Sequence, residues 1–270
     1  MEIKEINDRI LNIDYKQINL VDRPLDMVVL PHKKVIIATN YIEKGFSFLD
    51  ENFKLIKTVN KIEDEMVEPY GIALNNDVGI FVSDHFKHRI ILTDFEMNLI
   101  QSFGSRGSSS INQFDCPCGI SFKNKRLYVS DYNNKRIQVI NSDLSHIIET
   151  LTLDYSPWLV IATDRTLAVS RCDPSAYIYF YDLTNKFILR HKYQKGECRI
   201  SEINSCFYAF SFNSKKIYSF DSYGCLIAEI TIDRFSQFIS NMADGSLVLF
   251  NNYLVLTFYK MSVLIIFNFS

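Results

Sequence analysis

A unit of about 42 residues recurs along this chain, and a repeat of that length constrains the fold more tightly than any single motif. Its clearest copy opens with Glu68-Pro69-Tyr70-Gly71-Ile72-Ala73-Leu74. It continues through Gly79-Ile80-Phe81-Val82-Ser83-Asp84 and Arg89-Ile90-Ile91-Leu92-Thr93-Asp94, and ends with Leu99-Ile100-Gln101-Ser102-Phe103-Gly104. The next copy follows it segment by segment: Cys116-Pro117-Cys118-Gly119-Ile120-Ser121-Phe122, Arg126-Leu127-Tyr128-Val129-Ser130-Asp131, Arg136-Ile137-Gln138-Val139-Ile140-Asn141, and a fourth stretch near Ile147 to Leu153. Weaker copies open at Arg23-Pro24-Leu25-Asp26, Pro157-Trp158-Leu159-Val160, Ile200-Ser201-Glu202-Ile203 and Phe238-Ile239-Ser240. Second segments read as ending at Asn40, Asp84, Asp131, Arg171, Asn213 and Asn251 stand 44, 47, 40, 42 and 38 residues apart.

Each segment alternates apolar and polar residues over five or six positions, the pattern of a half-buried strand. Four short strands in every 40 to 50 residues make one blade of a β-propeller. The expected fold is therefore all-β, a six-bladed β-propeller of four-stranded antiparallel blades. It occupies residues 23–270, with 1–22 as an amino-terminal segment, and 270 residues leave no room for a seventh blade. The last blade reads as supplying its own four strands, with Ile10 to Val21 as an alternative source of a closing strand. Pro followed by Gly at the start of the first strand permits a tight turn and close approach of backbones near a crowded central channel. Asp84 with Arg89, and Asp131 with Arg136, stand across one hairpin each and are expected to close it as a repeated ion pair.

One apolar run tests the soluble reading. Tyr253 to Phe269 approaches the length of a membrane span, but Lys260 divides it into halves rich in Val, Ile, Phe and Tyr. Lys at a helix centre costs about 2.5 to 3.5 kcal/mol on insertion scales, so the run reads as two buried strands and no membrane partner is expected. The amino-terminal MEIKEINDRILNI lacks the basic-then-apolar order of a secretory signal. Six cysteines, at 116, 118, 172, 198, 206 and 225, show none of the paired spacings of zinc knuckles. They read as reduced, mostly buried thiols, and the chain as cytoplasmic, with no metal or cofactor.

The formal charge of -2 excludes a general positive field for nucleic acid, and no DNA partner is expected. The balance is uneven, however. Residues 1–84 carry 10 basic and 15 acidic side chains, whereas 85–136 carry 8 and 4. The loops between second and third strands share a face with the crossings between blades, and loops on a rigid scaffold are where function concentrates. In the basic sector that face presents Phe86, Lys87, His88, Arg89, Arg106, Tyr132, Lys135 and Arg136. Those side chains suit a protein partner, or a single-stranded RNA whose backbone they track and whose bases they stack. No nucleophile and base are brought together by the repeat, and Gly104-Ser105-Arg106-Gly107-Ser108-Ser109-Ser110 lacks the Lys and following helix of a phosphate loop.

EPYGIAL with GIFVSDHFKHRIILTD, and CPCGISF with RLYVSDYNNKRIQVIN, resemble NHL repeats, whose pattern runs Pro-x-Gly-Ile-Ala, Ile-Tyr-Val-Ser-Asp and Asn-His-Arg-Ile-Gln-Val. The match is specific in the second and third units, recognisable in the first and mostly lost in the last three, where Arg171 replaces the Asp. The resemblance implies a six-bladed propeller like the carboxy-terminal one of tripartite-motif NHL proteins, which selects targets while separate RING and B-box zinc domains recruit the ubiquitin-conjugating enzyme. No cysteine and histidine spacing here supports those zinc domains. The expectation is therefore a non-catalytic, protein-binding propeller of ubiquitin-dependent turnover, with RNA binding as the alternative. A further alternative is a zinc-dependent peptidyl-hydroxyglycine lyase, whose fold resembles NHL propellers and whose zinc sits on three histidines. The five histidines here, His32, His85, His88, His146 and His191, occupy turns and outer strands instead of inner ones.

Overall fold

The computed structural model describes residues 15–19, 24–30, 35–40, 44–108, 112–171, 176–196, 198–203, 205–211, 214–231, 247–250, 253–258 and 263–268. Five blades are continuous meanders of four antiparallel strands. Blade one comprises Pro24–Leu30, Val35–Asn40, Phe46–Leu49 and Leu55–Val59. Blade two comprises Pro69–Asn75, Gly79–Asp84, Arg89–Thr93 and Leu99–Phe103. Blade three follows with Pro117–Lys123, Arg126–Asp131, Arg136–Asn141 and Ile147–Thr152. Blade four has Leu159–Ala162, Thr166–Ser170, Tyr177–Asp182 and Ile188–Gln194. Blade five has Cys198–Ile203, Cys206–Ser211, Lys216–Phe220 and Leu226–Thr231.

The expected alternation appears in outer strands and not in second strands. Gly79–Asp84 is buried at every position because both of its faces meet neighbouring blades, whereas the outer Ile147–Thr152 alternates half-buried and exposed. The core is a series of seams between blades. Val28, Ile37 and Phe46 of blade one pack on Ile72, Ile80 and Val82 of blade two. Phe81 and Ile90 meet Phe114, Leu127 and Val129. Tyr128 and Val139 meet Val160, Leu167, Tyr179 and Tyr181. Ala168 and Phe180 meet Phe207, Ala209 and Phe220. Fully burying each Val, Leu, Ile or Phe among them contributes about 1.5–3 kcal/mol.

Inner strands lie side by side around the channel. A Cβ on Gly71 would stand 2.7 Å from the Cys118 carbonyl oxygen, and one on Gly119 would stand 2.7 Å from Leu159 Cα, so bare backbone is required at both. The hydroxyl preceding the hairpin Asp or Asn then ties blade to blade. Thr39 Oγ1 accepts from Asp26 N at 3.0 Å and donates to Tyr70 O at 3.3 Å. Ser83 Oγ accepts from Gly71 N at 2.8 Å and donates to Cys118 O at 2.5 Å. Between blades three and four the backbones bond directly, Gly119 N to Trp158 O at 2.9 Å, and Ser130 Oγ stays buried without a partner.

The expectation of six blades with the last supplying its own four strands needs correction, since five blades are complete meanders and the alternative of a closing strand from Ile10 to Val21 holds. The remaining four-stranded sheet is not a meander of consecutive strands: Leu247–Phe250, Tyr253–Phe258 and Val263–Asn268 are completed by Tyr15–Asn19, which pairs antiparallel with Val263–Asn268 from Tyr15↔Phe267 to Asn19↔Val263. Its inner strand is Leu247–Phe250 and its second strand runs to Phe258, so Asn251 does not mark a second-strand end. The start expected near Phe238-Ile239-Ser240 lies outside the described residues, as do Asn251, Asn252 and Lys260. The physical reason is edge pairing. A last sheet of three consecutive strands leaves an unpaired edge, and a strand from the other end of the chain saturates it. Leu247–Phe250 packs on both Cys198–Ile203 and Pro24–Leu30, joining blade five back to blade one. In blade five the second strand ends at Ser211 instead of Asn213, which is itself outside the described residues. Among the described residues no helix is long and apolar enough to cross a membrane.

Candidate functional site

In blades two and three the second-to-third strand hairpin turns on a buried carboxylate. Arg89 Nε donates to Asp84 Oδ2 at 3.0 Å, while Arg89 Nη2 and Lys87 Nζ reach Glu65 Oε2, on the crossing from blade one, at 2.8 and 2.9 Å. Burial raises the Asp84 carboxyl above its usual range although Arg89 and Lys87 pull it down; hydrogen bonds from Lys87 and Arg89 hold Glu65 low. Blade three has the denser version. Arg136 Nε donates to Asp131 Oδ2 at 2.7 Å and Arg136 Nη2 to Gln113 O at 2.7 Å. Gln138 Nε2 bonds Asp131 Oδ2 at 3.0 Å, and Asn134 Nδ2 bonds Asp131 Oδ2 and Gly107 O, each at 2.9 Å. These contacts tie Glu65, Gly107 and Gln113 of the blade-to-blade crossings to the hairpins.

The eight residues expected on this face divide in two. Phe86, Lys87, Arg106 and Lys135 are exposed, whereas His88, Arg89, Tyr132 and Arg136 are half-buried. Phe86 is 62% exposed, with its ring edge-on to His85 at 5.2 Å. Behind it the His85 ring lies 5.4 Å from Tyr70, and the Tyr70 hydroxyl accepts from Trp158 Nε1. Tyr132 packs with Tyr70 against Cys118, Trp158 and Leu159, and the Arg199 guanidinium lies 3.9 Å from the Trp158 ring centre. The face is thus an aromatic platform beside the paired charges of Lys87, Arg89 and Arg136, with Arg106 and Lys135 exposed. Of the other histidines, His146 adjoins Ser145 in an exposed turn, His191 stands on the outer strand of blade four, and His32 lies outside the described residues.

Two features escaped the sequence. At the opposite end, the first-to-second strand turns and the inner strands surround a cavity of ≈ 620 Å³ that includes Asp26, Asp77, Lys123, Ser201 and Glu202. Asp26, Leu159 and Arg199 stand in the strand position that Gly71 and Gly119 hold in their own blades, as the ladder registers show. That replacement of Gly by a charged residue was the available signal. Asp26 is held by the backbone, with Oδ2 accepting from Ile72 N at 3.1 Å and Oδ1 from Met27 N at 2.9 Å. The second feature lies at the seam between blades two and three, where His88, Asp115 and Cys116 each bring one ligand-type atom within 4.8 Å of the others. The reading of His88 as an ordinary hairpin residue and of the cysteines as inert thiols did not bring these three together. Burial raises the Cys116 thiol, and the Asp115 carboxylate raises it further.

The sheet topology defines the class: a β-propeller with four-stranded antiparallel blades. Among solved structures the chain is similar to virginiamycin B lyase from Staphylococcus aureus, with a TM-score of 0.69, 12% identity, and coverage of 95% of this chain and 99% of that one. It is also similar to the Neurospora crassa Pan2 WD40 domain, at TM-score 0.67, 9% identity and coverage of 94% and 95%. A third likeness is to the Myceliophteria thermophila Cps50 (Swd1) β-propeller domain, at 0.62, 9%, and 96% and 100%. Identities this low show the fold alone, and an enzyme stands beside WD40 domains among these neighbours. No family model and no curated protein matches the chain.

Proposed function

We propose that this chain is a protein-binding propeller of six blades, the sixth being the sheet shared between Tyr15–Asn19 and the last three strands, and that it works as a non-catalytic recognition module in the cytoplasm. The observation that carries the reading is Phe86: a large aromatic ring, 62% exposed, at the tip of a hairpin whose charged neighbours are already paired. Rigid exposed aromatics are the side chains that anchor protein interfaces, because little entropy is lost when they are covered. Cys116, Cys206 and Cys225 are free thiols, which suits a reducing compartment. The NHL resemblance of blades two and three supports a role in selecting targets for ubiquitin-dependent turnover, with the ligase chemistry supplied by zinc domains on another polypeptide or segment. Single-stranded RNA has weaker support, since Arg89 and Arg136 are spent on Asp84 and Asp131.

The test is affinity capture with the full chain, followed by quantitation of each partner. Phe86→Ala should lower recovery of a specific partner at least tenfold while the melting temperature stays within a degree or so, because the ring is exposed. Recovery unaltered by both Phe86→Ala and Phe86→Asp would sink the reading. Tight binding of a single-stranded oligonucleotide that weakens with salt and with Arg106→Ala plus Lys135→Ala would replace it with the RNA alternative.

A further inference from the structure

The hairpin His85-Phe86-Lys87-His88 of blade two faces Asp115-Cys116-Pro117-Cys118 at the start of blade three, so two imidazoles, two thiols and a carboxylate line one seam. On its inner side His85 Nδ1 lies 3.6 Å from Cys118 Sγ and 3.2 Å from Pro117 O. On its outer side His88 Nδ1 stands 3.4 Å from Asp115 Oδ1 and accepts from Cys116 N at 3.0 Å. The donor atoms of His88, Asp115 and Cys116 all lie within 4.8 Å of one another, half-buried between the two blades.

Nitrogen, carboxylate oxygen and thiolate sulfur together form a borderline-soft set. Zinc takes all three, at roughly 2.0–2.3 Å, whereas magnesium and calcium prefer oxygen throughout. Tetrahedral coordination at those lengths needs donors about 3.3–3.8 Å apart, so the widest separation closes by about 1 Å, a shift that rotation of the Asp115 and Cys116 side chains supplies. Asp115 is already positioned from behind. Its N–H donates to the buried Asp131 Oδ1 at 2.7 Å, Asn133 N donates to its carbonyl at 3.1 Å, and Asn133 Nδ2 to its Oδ1 at 3.2 Å. Outer hydrogen bonds of this kind orient ligands in metal sites.

We propose that the seam between blades two and three binds one zinc-class divalent ion through His88, Asp115 and Cys116, leaving a fourth position for water or an external ligand. Coordination replaces the Cys116 N–H bond to His88 Nδ1 and displaces the thiol proton, one hydrogen bond against three ligand bonds. Uptake therefore releases a proton and strengthens as pH rises. The bound ion ties the Phe86 hairpin to the next blade; the site stands independently of whether Phe86 binds a partner.

The test uses the full chain, freed of metal by chelation under a non-thiol reductant and titrated with cobalt(II) and then zinc. One equivalent of cobalt should produce a thiolate charge-transfer band with the strong visible absorption of a four-coordinate ion, and zinc should bleach it. Cys116→Ser should abolish that band. His88→Gln and Asp115→Asn should each weaken binding at least tenfold, while Cys118→Ser leaves it intact. Wild-type protein with no such band at one equivalent, or a band that survives Cys116→Ser, overturns the proposal. Should the variants fold poorly, zinc on the wild type should still slow alkylation of Cys116 at least tenfold relative to Cys206; equal protection of both, or none, has the same adverse meaning.

Discussion

Blades two and three close their second-to-third strand hairpin with a buried carboxylate and an arginine; blades four and five close the same hairpin with other chemistry. Where Asp84 faces Arg89 and Asp131 faces Arg136, blade four places Arg171 opposite Tyr177, and blade five places Ser211 opposite Lys216. In blade four the Arg171 guanidinium lies 5.5 Å from the centre of the Tyr155 ring. Tyr155 stacks on Tyr179 at 4.1 Å, and its hydroxyl meets that of Tyr181 at 2.8 Å. In blade five Lys216 leaves the hairpin and reaches Glu229 on the outer strand at 3.0 Å. The strand spacing is common to all of them while the closing contact differs. The ladder and the apolar seam therefore define the blade, and the polar pair is one of several ways to finish the turn.

If that is right, the largest losses come from the seam. Phe180 is fully buried and packs edge-on to Phe207 at 5.4 Å and tilted against Phe220 at 4.8 Å. Phe180→Ala should cost about 3–5 kcal/mol in a urea titration; a loss under 1 kcal/mol would mean that the aromatic seam of blades four and five is not what holds them. Next come the carboxylates. Asp131→Ala removes a bond from each of Arg136, Gln138, Asn134 and the Asp115 N–H at once, and should cost about 3 kcal/mol. Asp84→Ala should cost about half as much, since Arg89 keeps Glu65. Equal losses would erase the distinction between the two signature blades.

A pH titration separates the halves further. Burial pushes Tyr181 up to about 12, with the Tyr155 hydroxyl bond pulling the other way, and burial likewise pushes Tyr208 up to about 12. A phenol whose folded value exceeds its unfolded one near 10 adds stability below pH 10 that is lost as pH rises from about 10 to about 12. Each contributes about 2–3 kcal/mol over that window. Stability should therefore fall steeply above pH 10, and Tyr181→Phe should flatten the fall. A curve unaltered by that substitution would count against the buried tyrosine cluster as its origin.

The sequence revealed what repeats and hid what does not. Pro-x-Gly and Val-Ser-Asp located blades two and three to the residue because every member of those motifs has a structural duty: Gly71 and Gly119 admit the neighbouring backbone, Ser83 bridges blades, and Asp84 and Asp131 anchor the turn. Tyr253 to Phe269 contained two strands as its Val, Ile and Phe content implied. The closure of the last blade stayed open between four strands of its own and one from Ile10 to Val21, and the second holds: Tyr15–Asn19 pairs with Val263–Asn268 about 250 positions away, a partner that no local pattern records. On the candidate face the hairpin pairs Asp84–Arg89 and Asp131–Arg136 were legible, but the reach of Glu65 was not. A run of Lys and Arg looked like an open basic face, and folding brought Glu65 onto Lys87 and Arg89 from the neighbouring crossing. For the same reason His88 and Cys116, 28 residues apart, gave no metal-ligand spacing although they meet across a seam.

The smallest expected effect bears most directly on whether the two hairpin chemistries are interchangeable. Arg171→Ala removes a cation from the face of Tyr155 and should cost about 0.5–1 kcal/mol. Installing the blade-three pair in its place requires both Arg171→Asp and Tyr177→Arg. Tyr177 is half-buried, and its ring lies 4.2 Å from Lys192 Nζ, a cation that an arginine at 177 would repel. Each single substitution should therefore destabilise, the first by placing a carboxylate over an aromatic ring and the second by crowding Lys192. The double variant should recover part of the sum, with a coupling of about 0.5–1.5 kcal/mol if the hairpin geometry alone suffices to pair Asp with Arg. Zero coupling would show that Asp84 and Asp131 depend on the crossings packed over them, Glu65 in one case and Gln113 in the other, and that the ion pair belongs to the seam and not to the turn.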